Sequence, residues 1–314
     1  MNTLEISHAA SDSKKVRVHL WLPDTEPRAV LAIAHGLGEH GARYARLAQS
    51  LTAAGWAVYA PDHRGHGATA AEGELGWFAE RDGFRRVVDD FHEIVLSAKA
   101  ERPGLPVCVL GHSMGSIVAE YYLGLYGAAD GIAACALSGV VESPAPGLLA
   151  IARLIAGLGC SLKGSRSLAP LLDSMSFGAF NKAFEPVRTK FDWLSRDEAE
   201  VDKYVADPTC GFVSTHGLFR DMLGAFETLY GKGKLLASVP AALPLIIMAG
   251  ESDPCGTAHG FHRILEAKLR AVGLKDLQVK TYPGAHHEIF NETNRDEVTR
   301  DFMAWLESKL PRRA

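Results

Sequence analysis

Cysteine is sparse in this chain and is not arranged as a disulfide framework. There are five, an odd number, scattered at positions 108, 135, 160, 210 and 255 of 314. Cys108 and Cys135 fall inside apolar, strand-like runs, so the expectation is buried thiols in a reducing compartment and a cytoplasmic protein. Basic residues are not in excess: Lys and Arg number 33 against 37 Asp and Glu, a net charge of −4, which excludes the electrostatic footprint of a nucleic-acid binder. A long apolar run is also missing. The longest, residues 147–162, is interrupted by Arg153 and falls short of the about 20 residues that a transmembrane segment requires. Residues 1–15 have no basic segment followed by an apolar stretch, so no secretory leader is expected. No histidine pair stands beside a carboxylate at zinc-site spacing, so neither a metal nor another cofactor is expected. What remains is 47% hydrophobic, with 31 glycines, 15 prolines and no low-complexity tract. That suits one large α/β domain carrying an insertion.

Strand-like and helix-like patterns alternate along most of the chain. Residues 3–9 and 15–22 read as an antiparallel pair turning at Ser11-Asp12-Ser13. Short apolar strands follow at residues 30–34 and 56–60. Between them Tyr44, Leu47, Ala48 and Leu51 recur at helical spacing, and Gly55 ends the helix. Phe84, Val87, Val88, Phe91, Ile94, Val95 and Ala98 mark a long amphipathic helix. Strands at 106–110, 132–137, 243–250 and 277–282, with helices at 257–272 and 294–309, complete a mostly parallel sheet covered on both faces. Residues 141–233 break the alternation: they open with Pro144 and Pro146 and show helical patterns without a convincing strand.

One segment carries chemistry. Gly111-His112-Ser113-Met114-Gly115 lies between an apolar strand and a helix, with the serine at the apex of a turn tight enough to need glycine on both sides. The helix that follows aims free N–H groups and its positive dipole end at the same point. A nucleophilic serine needs a base and an orienting acid. Asp253 follows the strand at 243–250, with Glu251 two residues before it, and His286 and His287 follow the strand at 277–282. All lie at one sheet edge, where ligands bind in open α/β sheets. Adjacent histidines point in different directions, and spacing alone does not choose between them.

With these residues in place, the chain resembles the α/β-hydrolase superfamily, and within it the monoacylglycerol lipase and lysophospholipase branch. The resemblance rests on Gly111–Gly115 together with His35-Gly36-Leu37-Gly38-Glu39-His40 before Arg43-Tyr44, Asp62-His63-Arg64-Gly65-His66-Gly67, Gly250-Glu251-Ser252-Asp253-Pro254, and His287-Glu288-Ile289-Phe290-Asn291-Glu292. Ala68-Thr69 stands where many relatives carry a serine. The resemblance implies an eight-stranded core over 1–140 and 234–314, and a helical cap over 141–233 closing on Ser113. It implies Ser113 as nucleophile, Asp253 rather than Glu251 as acid and His287 rather than His286 as base, in the order serine, acid, histidine. The backbone N–H groups of Leu37 and Met114 would form an oxyanion hole, with Gly36 and Gly38 shaping the loop.

The reaction implied is cofactor-free hydrolysis, through an acyl-enzyme, of a small ester or single-chain lipid. Leu148, Ile151, Phe177 and Phe180 of the cap are the candidate acyl-chain contacts, and the apolar cap is a candidate surface for peripheral contact with lipid aggregates. Other readings are a short-chain carboxylesterase, a proline iminopeptidase-like peptidase, or a non-catalytic binding protein. The peptidase would need acidic cap residues, yet Glu185, Asp192, Asp197, Glu198 and Glu200 read as a solvated face. His259 reads as solvated, and His35, His63, His66 and His112 as loop-holding residues.

Overall fold

Five strands are apolar on both sides, and this dictates their place. In β3 (Ala29–Ala34), β4 (Trp56–Pro61), β5 (Val107–His112), β6 (Ala134–Ser138) and β7 (Leu245–Gly250) every residue is buried. Such strands need cover on both faces, the arrangement of a parallel sheet. The computed structural model, which describes residues 1–231 and 234–310, sets them at the centre of an eight-stranded sheet. Its order is β1-β2-β4-β3-β5-β6-β7-β8, with β1 (Asn2–Ala9), β2 (Lys15–Leu22) and β8 (Leu277–Tyr282) on the outside. β1 pairs antiparallel with β2, and β2 with β4; every other junction is parallel.

Alternate side chains enter two cores. Val30, Ala32, Val107, Val109, Leu137 and Ile247 pack with α2 (Gly83–Glu101), α3 (Met114–Asp130) and α8 (Phe261–Ala271). Leu31, Ile33, Leu110, Ala136 and Met248 pack with α1 (Ala45–Ala53) and α9 (Arg295–Lys309). One expected helix is shorter than its pattern. Gly260, at φ +80°, separates a 3-10 turn at Thr257–His259 from α8.

Between β6 and β7 lie α4 (Pro146–Lys163), α5 (Pro170–Phe177), α6 (Glu198–Ala206) and α7 (His216–Tyr230). The expected limit of this insert at residue 233 lies outside the described residues. α7 is rooted in the main core, to which it contributes Leu218, Phe219, Leu223, Phe226 and Leu229. The outer insert gathers on Trp193, Leu194, Tyr204 and Cys255, ringed by Phe177, Phe180, Phe184 and Phe191.

Helix α4 contains the apolar run of residues 147–162, and a single helix of this kind does not establish a membrane span. Its 18 residues are long and apolar enough, by length and composition, to cross a membrane, and only 17% of it is buried. At about 1.5 Å per residue it spans about 27 Å, the lower bound for such a segment. Leu149, Ala152 and Ala156 face inward, whereas Leu148, Ile151, Leu154, Leu158 and Leu162 are exposed.

Helix α3 carries a carboxyl group in the core. Glu120 is fully buried and accepts a hydrogen bond from Tyr230 Oη at 2.6 Å. Burial pushes it up to about 7, against a weaker downward pull from the Tyr230 hydrogen bond and Lys268. The unfolded chain releases this proton near its ordinary value of 4.5 and the folded chain near 7, so the folded state binds more protons between the two and stability falls as pH rises. At about 1.4 kcal/mol per pH unit the loss reaches about 3.5 kcal/mol. Glu120→Gln is therefore expected to match the wild type in thermal denaturation at pH 4.5 and to exceed it at pH 8. Equal stability at both pH values would refute this.

Candidate active site

Ser113 occupies the turn between β5 and α3 with φ 54° and ψ −121°, a conformation costly for any residue with a Cβ. The glycines around it have no alternative. A Cβ on Gly115 would lie 1.9 Å from Ala34 O, and one on Gly111 would lie 2.2 Å from Gly115 O. The turn is pinned by Ser113 N–H donating to Ser138 O at 2.9 Å and by Ser116 Oγ donating to Ser113 O at 2.7 Å.

Asp253, in the turn after β7, and His287, after β8, are both buried and meet through Oδ1 and Nδ1 at 2.9 Å. An ionised carboxylate only accepts, so Nδ1 carries the proton and Nε2 keeps its lone pair. Asp253 Oδ1 also accepts from the Cys255 N–H at 2.9 Å. Burial opposes a charge on His287, but the Asp253 carboxylate and its hydrogen bond outweigh that and raise its affinity for a proton. The ring lies against Trp193 and His112, with centroids at 5.0 and 4.8 Å. Its backbone joins the insert: His287 N–H donates to Trp193 O at 3.4 Å, and Glu288 N–H to Leu194 O at 2.8 Å. His286 points elsewhere. Its Nδ1 donates to Asp192 O at 2.9 Å, its ring lies 4.0 Å from that of Phe184, and burial lowers its proton affinity. Glu251 and His259 are exposed.

The loop after β3 is held by charge. Glu39 Oε1 accepts the Gly36 N–H at 2.6 Å and Tyr44 Oη at 2.9 Å. Arg43 donates to Glu39 Oε2 at 2.8 Å and to both oxygens of Glu288 at 2.6 and 2.7 Å, with its guanidinium over Tyr204. A Cβ on Gly36 would lie 2.9 Å from Glu39 Oε1 and 3.1 Å from Ser113 Cβ. Beneath this loop the His35 ring meets His63 at a tilt, centroids 4.2 Å apart, and His66 edge-on at 5.2 Å. Burial keeps them neutral, His63 falling to about 3 and His66 to about 4. Among the described residues the N–H groups of Leu37 and Met114 meet no backbone or side-chain acceptor.

Two chambers meet at Ser113, with Leu37 and Phe177 common to both. One, of about 420 Å³, contains Gly36, Gly38, Asp173, Lys190, Trp193, Ser214 and His287 and is partly polar. The other, of about 400 Å³, runs between Met114, Ile117, Leu148, Leu172, Phe180 and Phe226 and is mainly apolar. Ile151 belongs to neither. The helix turns it toward solvent with Leu154, while Ala152 reaches the apolar chamber. Sequence reasoning missed Phe219, Met222 and Phe226, which α7 presents to that chamber at helical spacing and which Thr215, accepting from Leu218 N–H, helps to place. It also missed the Arg43 to Glu288 pairing, for which a separation of 245 residues leaves no local signal.

Residues 25–294 match the family described as serine aminopeptidase, S33. A monoacylglycerol lipase of Mycolicibacterium smegmatis is 34% identical over 98% of both chains. The human monoglyceride lipase is 28% identical over 95% of this chain and 89% of its own. Among solved structures, a thermostable carboxyl esterase from Bacillus coagulans, in complex with glycerol, superposes with a TM-score of 0.88 at 26% identity, over 98% of this chain and 99% of that one.

Proposed function

Since the chain belongs to the serine aminopeptidase S33 family and is a serine hydrolase of the α/β-hydrolase superfamily, we propose that it hydrolyses single-chain lipid esters, of the monoacylglycerol or lysophospholipid kind, through an acyl-enzyme on Ser113. The observation that carries this reading is the meeting of an apolar and a partly polar chamber at one serine. One acyl chain and one hydrophilic alcohol fit that division. The relatives named monoacylglycerol lipase and monoglyceride lipase support it.

In this mechanism His287 Nε2 takes the Ser113 proton as Oγ attacks the ester carbonyl. Asp253 holds the ring and stabilises the imidazolium. The carbonyl oxygen becomes an oxyanion facing the Leu37 and Met114 N–H groups, each such donor being worth about 3–4 kcal/mol in the transition state. Collapse expels the alcohol, which takes the proton back from His287. Water then repeats the sequence and releases the fatty acid, so the side chains, the two backbone N–H groups and water suffice for every step. The helical insert acts as the cap, and the exposed leucines of α4 give it a face for lipid aggregates.

The peptidase reading has less support. Asp197 pairs with Arg295, Glu200 with Arg46 and Lys203, and Asp192 binds Thr189, which leaves Asp173 of the partly polar chamber as the acid that reading would use beside Ser113. The test is hydrolysis of glycerol monoesters from short to long acyl chains, with aminoacyl amides in parallel. A rate that climbs with chain length and then levels off is expected. Activity confined to the shortest esters, or preference for the amides, would overturn the proposal.

A further inference from the structure

We propose a transition-metal site of the zinc class, separate from the catalytic centre, formed by His40, Asp207 and Cys210. His40 ends the loop that carries Leu37, while Asp207 and Cys210 lie in the turn after α6. One donor from each, a ring nitrogen, a carboxylate oxygen and a sulfur, lies within 4.8 Å of the other two. His40 Nε2 is already 2.9 Å from Asp207 Oδ2. Zinc bonds of about 2.0–2.3 Å place tetrahedral donors about 3.3–3.8 Å apart, so closure on an ion needs shifts of about 1 Å.

The donor set selects the ion. Nitrogen, sulfur and a single carboxylate suit zinc and its neighbours rather than magnesium or calcium, which take oxygen. Three protein ligands leave the fourth position to water, the open coordination rather than the closed four-ligand set of a structural zinc.

The turn is also organised around these donors. Asp207 Oδ1 accepts from Thr209 N–H and Thr209 Oγ1 at 2.8 and 2.6 Å, which leaves Oδ2 to His40. Cys210 N–H donates to Asp207 O, and Gly211 N–H to Gly38 O, both at 3.0 Å. His19 and Asp62 form a second close group with His40, setting a carboxylate near the same imidazole. That carboxylate is itself held by His19 Nε2 and by the Gly41 and Ala68 N–H groups. His40 and Asp207 are 167 residues apart, so no spacing motif announces the site. A bound ion would tie the turn at 207–211 to the loop of Leu37 and so fasten the insert to the core.

Asp253, Cys255 and His287 are a competing set with donors equally close, and an ion there would occupy the proposed base and stop hydrolysis. Zinc chloride titrations followed by calorimetry, with cobalt(II) absorbance in parallel, separate the two in wild type, Cys210→Ser, Asp207→Asn and Cys255→Ser. The expected result is one equivalent bound, weakened about tenfold or more in Cys210→Ser and Asp207→Asn and unchanged in Cys255→Ser. The cobalt-thiolate band should disappear only in Cys210→Ser. Undiminished affinity in both Cys210→Ser and Asp207→Asn, loss in Cys255→Ser instead, or no saturable binding would overturn the proposal. Thermal midpoints without metal verify folding, and Asp207→Asn, at a more exposed position, decides the matter should the serine variant not fold.

Discussion

Ser113→Ala is expected to lower hydrolysis of long-chain monoesters by about 10⁵–10⁶-fold with little change in thermal midpoint. The reasoning is geometric. Ser113 is fixed through its backbone to Ser138 and Ser116, not through its hydroxyl, so removing Oγ deletes the nucleophile and little else. Ser113→Gly should be equally inactive yet more stable than the alanine variant, because glycine tolerates φ 54°. His287→Ala should fall nearly as far as Ser113→Ala. His286→Ala should stay within about tenfold of wild type, since its ring addresses Asp192 O and Phe184. Steady-state kinetics on all four variants read this directly. Comparable losses in the two histidine variants would remove the distinction between them, and Ser113→Ala turnover within about a hundredfold of wild type would remove the nucleophile.

The second large effect concerns stability. Arg43 is the buried cation between two buried carboxylates, Glu39 and Glu288. Burial disfavours its charge, yet Glu288 and Glu39 hold it firmly protonated. Burial likewise opposes ionisation of Glu288, but Arg43 lowers it to about 2. Arg43→Met removes the cation and leaves two buried carboxylates close together without a countercharge. Breaking a buried pair in this way costs about 3–5 kcal/mol. Activity should also fall, because Glu39 holds the Gly36 N–H and Glu288 is the neighbour of His287. Linkage fixes the pH response. In the wild type the depressed Glu288 contributes stability above its ordinary value of 4.5 that is lost as pH falls toward 2. In Arg43→Met the carboxylates rise instead, so the variant should be weakest at neutral pH and regain stability on mild acidification. Denaturant unfolding at pH 3, pH 5 and pH 8 measures both signs, the wild-type loss between pH 5 and 3 and the variant's gain between pH 8 and 5. An Arg43→Met protein that loses stability in parallel with wild type on acidification would contradict the argument.

How much of this was legible beforehand follows from the range of each interaction. The sheet was readable because strands buried on both faces are uninterrupted apolar runs, as in β3 and β7, and because Gly111 and Gly115 reveal the tight turn at Ser113. The break at Gly260 was not, since glycine inside an apolar helical pattern looks the same whether the helix tolerates it or ends there. Ile151 and Leu148 were indistinguishable by composition, and only the rotation of α4 against α7 separates the chamber from solvent. The choice between His286 and His287 rested on resemblance alone, because the feature that sets them apart, a ring turned toward Asp192 or toward Asp253, lies on distant segments. The Arg43 pairing and the His40 cluster are likewise products of chain return.

The two backbone links from Trp193 and Leu194 to His287 and Glu288 have a consequence for how such a protein diversifies. Peptide groups make them, so they do not depend on which side chains the insert carries. Mutation can redraw the walls of both chambers, and with them the choice of ester, while the grip on the histidine loop stays the same. Exchange of whole inserts between relatives should follow the same logic: grafts that keep the path of the chain at 193–194 retain a seated histidine, whatever they bring to the substrate.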